Sequence, residues 1–486
     1  MASVPEGPNA FFRLSPVEAR KAHCFAVRRG DVGGRFDPSF HAPNEGIPGS
    51  RTFPVRHAVT LLRNIVKAII QPNEFIREYI EESADSVPML RAGNIRDGEL
   101  NLSDLVWVPK ATLAGGGKGF DASFIKEGDI LITRTGAKAG ETCVVPPLQR
   151  EYIVSSHSIR VIPIEDVVEP KYLELFLLSR WGKAQITRLF TGAAQKQLQL
   201  TPGADLQISL PPKAEQLSLV DAMDAARAAR RAKLAEADAL LAGLDGFLLE
   251  ILGLTAPPRP KTTFAVRTHQ LTDALNPDRY RGLQLEKHLP FASTVGTVGN
   301  LLAPRCAPEG EGPEEQWDWI RIDDLPNQPW QVETMRTELG KNIEGTFFEV
   351  LENDILVARL GPTILNAKFV LCPKLNRRTV ASSEFLVIRC AAGWQPEAVL
   401  WVLRTALYRE IMYARSRGAT PSRFRLGGDD LLSIPFPSMD TDTQTRIAAE
   451  ARRCRDEARR LRAEAESQWQ AAKRWFEEQL LGPAQP

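Results

Sequence analysis

Cysteine is sparse in this chain of 486 residues, and the six present stand far apart. Cys24, Cys143, Cys306, Cys372, Cys390 and Cys454 form no Cys-x-x-Cys pair and have no histidine at metal-ligand spacing. They read as reduced bystanders, with neither a disulfide framework nor a metal site expected. Long apolar runs are missing too, and nothing approaches the roughly 20 residues that a membrane span needs. The opening MASVPEGPNAFF lacks the basic flank and apolar core of a secretory signal, so a cytoplasmic location and no membrane partner are expected. Excess charge is absent, the formal net charge being +1. Phosphate neutralisation normally demands a surplus of lysine and arginine, so a nucleic-acid binder of this composition must segregate its basic residues or borrow charge from a partner.

Catalytic constellations are a further absence. Gly115-Gly116-Gly117-Lys118-Gly119 has the composition of a phosphate cradle without its spacing or its Ser/Thr, and reads as a cationic loop tip. Asn276-Pro277-Asp278-Arg279 fails the Asn-Pro-Pro-aromatic pattern of adenine methyltransferases at its third and fourth positions. Asp129 and Asp354 lack the downstream Glu-x-Lys of a nuclease metal site and read as turn residues that open a strand. The six histidines have no counterparts between the two halves of the chain. No catalytic residue and no metal ligand are expected.

What the sequence does have is an internal repeat. Phe25-Ala26-Val27-Arg28 recurs as Phe264-Ala265-Val266-Arg267. Gly128-Asp129-Ile130-Leu131-Ile132-Thr133-Arg134-Thr135-Gly136 recurs as Asn353-Asp354-Ile355-Leu356-Val357-Ala358-Arg359-Leu360-Gly361. Ser155-Ser156 before a strand at Ile159 to Ile162 matches Ser382-Ser383 before Phe385 to Ile388, and a helix opens after each at Glu169-Pro170 and Gln395-Pro396. A Gly-centred basic loop follows, Thr191 to Gln197 and Gly418 to Arg425. Each half closes on prolines, Ile208 to Pro212 and Ile434 to Pro437, and from Gly192 and Gly418 to these prolines the offset is constant at 226 residues.

After the prolines both halves turn rich in Ala, Arg, Glu and Leu, the composition of long helices. Ile447, Ala451, Cys454, Ala458, Leu461, Ala465, Gln468, Ala472 and Trp475 alternate spacings of four and three, a coiled-coil seam. The first helix repeats it from Leu234 through Ala237, Leu241, Leu244, Leu248 and Ile251, while Arg227 and Arg230 interrupt the earlier turns, so the pairing must change near Arg230 or a partner covers that end. The expected fold is α/β of the α+β kind, with two similar globular domains and two long helices in an antiparallel coiled coil. The boundaries expected are residues 1–213, helix 214–256, residues 257–438 and helix 439–486.

These motifs, together with Thr191-Gly192 and Gln195-Lys196 and with Leu210-Pro211-Pro212-Lys213-Ala214-Glu215-Gln216, resemble the specificity subunits of type I restriction-modification systems. The resemblance covers nearly the whole chain. It implies two target recognition domains, each reading one half of a split site in double-stranded DNA, and helical spacers that dock two methyltransferase subunits, to which an ATP-dependent restriction subunit can be added. It implies no cofactor on this chain, with S-adenosylmethionine, ATP and Mg on the partners. The second half departs from the pattern, since Ser422-Arg423 stands where the first has Gln195-Lys196, and Phe436-Pro437-Ser438 is not followed by Glu-Gln.

Candidate DNA contacts are the basic and amide residues of the repeated loops: Lys118, Arg134, Lys138, Gln195 and Lys196 in the first half, and Arg359, Arg415, Arg417, Ser422, Arg423 and Arg425 in the second. Gly136, Gly192, Gly361 and Gly418 are expected to permit positive φ or a close approach to DNA. Two other classes compete: a structural adaptor of a DNA-processing or defence complex, which would bind DNA without regard to sequence, and a restriction or methylation enzyme with an unrecognised motif, which would turn over S-adenosylmethionine or ATP.

Overall fold

The computed structural model describes residues 56–72, 74, 78–96, 98–103, 105–111, 123–136, 138–191, 197–198, 206–254, 265–266, 277–326, 329–418, 420 and 423–481. The repeated Phe-Ala-Val-Arg segments lie largely outside them. Contacts divide the chain into two compact units, Met1–Arg231 with Glu466–Pro486, and Ala232–Ala465. Each unit takes a globular part together with a portion of both long helices, Lys213–Ile251 and Thr441–Leu480.

In the first unit an antiparallel four-stranded sheet runs in the order Val66–Ile70, Ser158–Pro163, Ile130–Thr133, Thr142–Val144. Beside it, Ser86–Leu90 pairs antiparallel with Val106–Pro109 and parallel with Ile153–Val154. The second unit repeats both arrangements: Gly299–Leu301, Phe385–Cys390, Ile355–Ala358 and Phe369–Leu371 form one sheet, while Gln316–Ile320 lies between Arg336–Leu339 and Thr379–Ala381 in the other. The strand after each turn is apolar, rich in β-branched residues and buried along its whole length, Ile130 to Thr133 and Ile355 to Ala358. Each turn needs positive φ just before the aspartate, supplied by Gly128 at +82° and by Asn353 at +70°, asparagine being among the few side chains that tolerate this region. Asp129 and Asp354 are turn residues as the sequence suggests, their carboxylates accepting from the backbone N–H of Lys126 and Leu351.

The pairing register corrects one correspondence by a residue. Ser158 lies opposite Thr133 and Phe385 opposite Ala358, so Phe385 corresponds to Ser158 rather than to Ile159. The sequence pattern starts this strand at its first apolar residue, whereas the strand begins on a buried serine.

Pro170–Leu178 and Pro396–Arg404 open with proline at the first helical positions, where the missing N–H has no partner to lose. Ser179 and Thr405 then cap a second helix in each unit, accepting from Gly182 and Tyr408. Gly182 is obligatory: a Cβ there would lie 2.3 Å from the Phe176 carbonyl oxygen.

Both long helices run antiparallel within each unit. In the second, Lys233 pairs with Glu464 and Asp238 with Arg462, each at 2.7 Å, and Ala237 packs with Ala458 and Leu461. In the first, Arg230 approaches Glu466 at 3.6 Å, and Arg227 pairs with Glu174 at 2.7 Å while lying over the Trp469 ring. The two arginines that interrupt the apolar pattern are thus matched by carboxylates, and the pairing changes there. Beyond Ala465 the seam itself shifts. The spacing places Gln468 and Trp475 inside; the structure buries Trp469, Phe476 and Leu480, leaving Gln468 and Trp475 exposed. Successive steps of four re-aim this end at the core of the first globular part, where Phe476 meets Tyr172.

Each globular part is also tied to the first turns of the helix that leaves it. Lys171 pairs with Asp224 at 2.5 Å, and at the matching place in the second unit Glu397 pairs with Arg452 at 2.6 Å, with the charges reversed.

Candidate nucleic-acid interface

Both units end their central strand on the same frame. In the first, the Arg134 N–H donates to the His157 carbonyl at 2.7 Å, the Leu198 N–H donates to the Arg134 carbonyl at 2.9 Å, and Thr135 bridges Gln197. In the second, Arg359 donates to Glu384 at 3.1 Å, Leu426 donates to Arg359 at 2.8 Å, and Leu360 bridges Arg425. A hairpin crosses each frame, Phe190–Thr191 with Gln197–Leu198, and Arg417 with Arg425. Five residues separate Thr191 from Gln197 and seven separate Arg417 from Arg425, so the second tip is longer by two. The constant offset of 226 hides this insertion, because it is made up again before Ile434.

Arg134 and Arg359 occupy equivalent places, and in both the Nε is buried with no hydrogen-bond partner among the described residues. Arg134 makes a long contact to Gln197 through another guanidinium nitrogen, at 3.5 Å. A buried donor without an acceptor is costly, and here it recurs at the same point of both repeats. Lys138 and Arg423 are exposed. Arg417 reaches Asp430 at 3.0 Å and Arg425 reaches Glu384 at 2.7 Å; all four side chains are at least partly exposed, and such pairs hold about 0–1 kcal/mol, so a phosphate can displace the carboxylate.

Arg415 does not belong with them. It ends a helix with its guanidinium paired to Glu286 and donating to the Asp430 carbonyl at 2.7 Å and to Ser433 at 2.6 Å, a half-enclosed network that leaves it nothing to offer DNA. The glycines divide as well. Gly136 has φ +93° with open space around it. Gly361 has no positive φ and starts a short helix, Gly361–Leu365, where the first unit has a turn. Gly418 allows a close approach, but to its own hairpin: a Cβ would lie 2.6 Å from the Arg423 carbonyl oxygen. Lys118, Gly192, Gln195, Lys196 and Ser422 lie outside the described residues.

Glu384, Asp430 and Gln197, the partners that restrain these arginines, carry no sequence signal. Cys306, Glu311 and Glu349 are a second thing the sequence conceals, since their ligand atoms all lie within 4.8 Å of one another. Burial, with Glu311 and Glu349 beside it, pushes the Cys306 thiol up to about 11. Arg378 already spans the two carboxylates at 2.9 and 2.8 Å, so a guanidinium holds the cation's place. Among the described residues no helix is long and apolar enough to cross a membrane.

Comparison with known proteins bears on this frame. The family described as "Type I restriction modification DNA specificity domain" matches residues 68–235. The type I restriction enzyme StySPI specificity subunit of Salmonella potsdam is 25% identical over 180 residues, 36% of this chain and 36% of that protein. The EcoKI specificity subunit of Escherichia coli (strain K12) is 24% identical over 175 residues, 35% of this chain and 34% of that protein. These matches span about a third of the length of either relative. A chain solved in a study of complex assembly and conformational transition of the type I R-M system shares the fold, with a TM-score of 0.50 and 14% identity over 88% of this chain and 98% of that one. The matched segment holds the Arg134 frame and the entry to the first long helix, and in it the chain is similar to the specificity subunits of type I restriction-modification systems.

Proposed function

We propose that this chain reads a bipartite DNA sequence, one half-site per unit, and directs methyltransferase subunits, and with them a restriction subunit, to it. The observation that carries the reading is the duplicated frame with, at the same point, an arginine Nε that is buried and without an acceptor among the described residues, Arg134 and Arg359, in hairpins of different length and composition. One scaffold with two different tips suits the reading of two different stretches of a polymer whose backbone offers phosphate acceptors throughout. On this reading Arg134 and Arg359 take base or phosphate oxygens, Lys138 and Arg423 neutralise phosphates, and Gln195, Lys196, Lys118 and Ser422 act from the loop tips. The chemistry belongs to the partners, two methyltransferase subunits with S-adenosylmethionine and a restriction subunit with ATP and Mg, working in the cytoplasm.

Replacing residues 257–438 with the matching segment of another specificity subunit, co-expressing the hybrid with its methyltransferase and mapping methylated sites tests the proposal. The half-site read by the first unit should persist while the other changes. If both half-sites change together, the reading with one half-site per unit is wrong; sequence-blind binding and no methylated site would return the adaptor class.

A further inference from the structure

The Leu-Pro-Pro-x-x-Glu-Gln entry to the first long helix ends on Gln216, whose side chain is completely buried. Its Oε1 accepts from the backbone N–H of Glu169 at 2.8 Å, and its Nε2 donates to the carbonyls of Pro211 at 2.8 Å and Val167 at 3.3 Å. The second proline motif has no Glu-Gln at that spacing, yet Gln444 rebuilds the same junction two residues later. Its Oε1 accepts from Gln395 N–H at 2.6 Å, and its Nε2 donates to the carbonyls of Met439 and Gly393, both at 3.1 Å. Glu169 and Gln395 are the N-cap positions of Pro170–Leu178 and Pro396–Arg404.

One side-chain amide therefore joins three pieces of backbone in each unit: the end of the loop that follows the main sheet, the start of the domain helix and the entry to the long helix. Only glutamine combines this reach with one acceptor and two donors; glutamate lacks the donors and asparagine is a methylene shorter. The Lys171–Asp224 and Glu397–Arg452 pairs brace the same two helices farther along, but they are exposed and reversed in charge, so they cannot be the shared device.

We propose that Gln216 and Gln444 are positioning residues: each fixes the angle at which a recognition domain meets the long helix that leaves it, and thereby the gap between half-sites that the chain accepts. This rests on the reading of the chain as the recognition subunit of a bipartite site. A loosened junction lets the domain swing without altering its base contacts, so selectivity for the gap relaxes while selectivity for bases does not.

The test uses the full chain assembled with its methyltransferase. In Gln216→Met and Gln444→Met variants, methylated-site mapping should show sites whose gap is one base pair longer or shorter rising about tenfold relative to the cognate gap, a change of about 1.4 kcal/mol, with the half-site bases unchanged. Even loss of methylation at every gap would reduce both glutamines to structural support and overturn the proposal. Hydrogen exchange on the unmodified complex does not depend on a variant folding: the Glu169 and Gln395 amides should exchange at least as slowly as those of the neighbouring helix interiors, and rapid exchange there would overturn the latch. A wild-type complex that methylates no bipartite site would instead strike the functional reading itself.

Discussion

The Nε of Arg160 donates to the Oδ2 of Asp129 across 2.7 Å, with both side chains almost wholly buried. In the second unit Asp354 holds Arg389 through both carboxylate oxygens, at 2.8 and 2.7 Å. The strand registers align Arg160 with Val387 and Arg389 with Ile162, so the arginine has moved two residues along its strand and kept its face.

The two pairs should differ in worth. Asp129→Asn strands a buried guanidinium and should cost about 3–5 kcal/mol. Asp354→Asn should cost well under half of that, because Arg389 is 41% exposed and water takes up its charge. Denaturant unfolding of the two variants measures the difference; equal losses would refute the account.

Glu174 gives a pH dependence. Burial pushes its carboxyl up to about 7, against the attraction of Arg227. The folded state therefore binds this proton more tightly than the unfolded chain, so its contribution is complete below the ordinary carboxylate range and is lost as pH rises through about 7. The first unit should unfold more easily at pH 8 than at pH 5, and Glu174→Gln should flatten that slope. A Glu174→Gln protein with the slope intact would locate the titration elsewhere.

The shifted seam makes Trp469 and Trp475 opposites. Trp469→Ala should cost about 3–5 kcal/mol through the cavity it leaves in the first unit. Trp475→Ala, at a side chain 39% exposed, should leave stability within about 0.5 kcal/mol and weaken capture of the methyltransferase instead. Thermal unfolding and co-purification separate the two effects.

Among the arginines, three behaviours should be distinguishable by binding across a panel of DNA sequences and salt concentrations. Arg134→Ala should lose about 1–3 kcal/mol of discrimination within the first half-site, and Arg423→Ala should weaken all sequences alike and lower the salt slope by about 1. Arg415→Ala should leave specificity unchanged and cost about 1–3 kcal/mol of stability, because Glu286 is left half-enclosed without its partner. Arg415→Ala changing the recognised bases would return that residue to the interface.

The repeat was legible because turn chemistry and strand hydrophobicity write themselves locally: Gly128 and Asn353 announce the same backbone, and Ile130 and Ile355 the same buried strand. Legibility failed where function was kept by displacement. Gln444 does the work of Gln216 from two residues later, and Arg389 that of Arg160 from two residues further along its strand, so residue-by-residue alignment misses both. Trp475 has the spacing of a seam residue, but a heptad describes helices packed on each other, and beyond Ala465 the second helix packs on a globular core. Arg415 looked like its basic neighbours because an ion pair to Glu286, 129 residues away, leaves no mark on local sequence.

The reversed clasps, Lys171 with Asp224 and Glu397 with Arg452, bear on how the two halves could exchange their globular parts. A crossover that carries the first domain onto a second-type helix sets Lys171 against an arginine, and the reciprocal product sets Glu397 against an aspartate. Each exposed pair is worth about 0–1 kcal/mol, so a domain exchanged together with the opening turns of its own helix, through Asp224 or Arg452, keeps a small attraction that a breakpoint at the preceding prolines turns into a small repulsion.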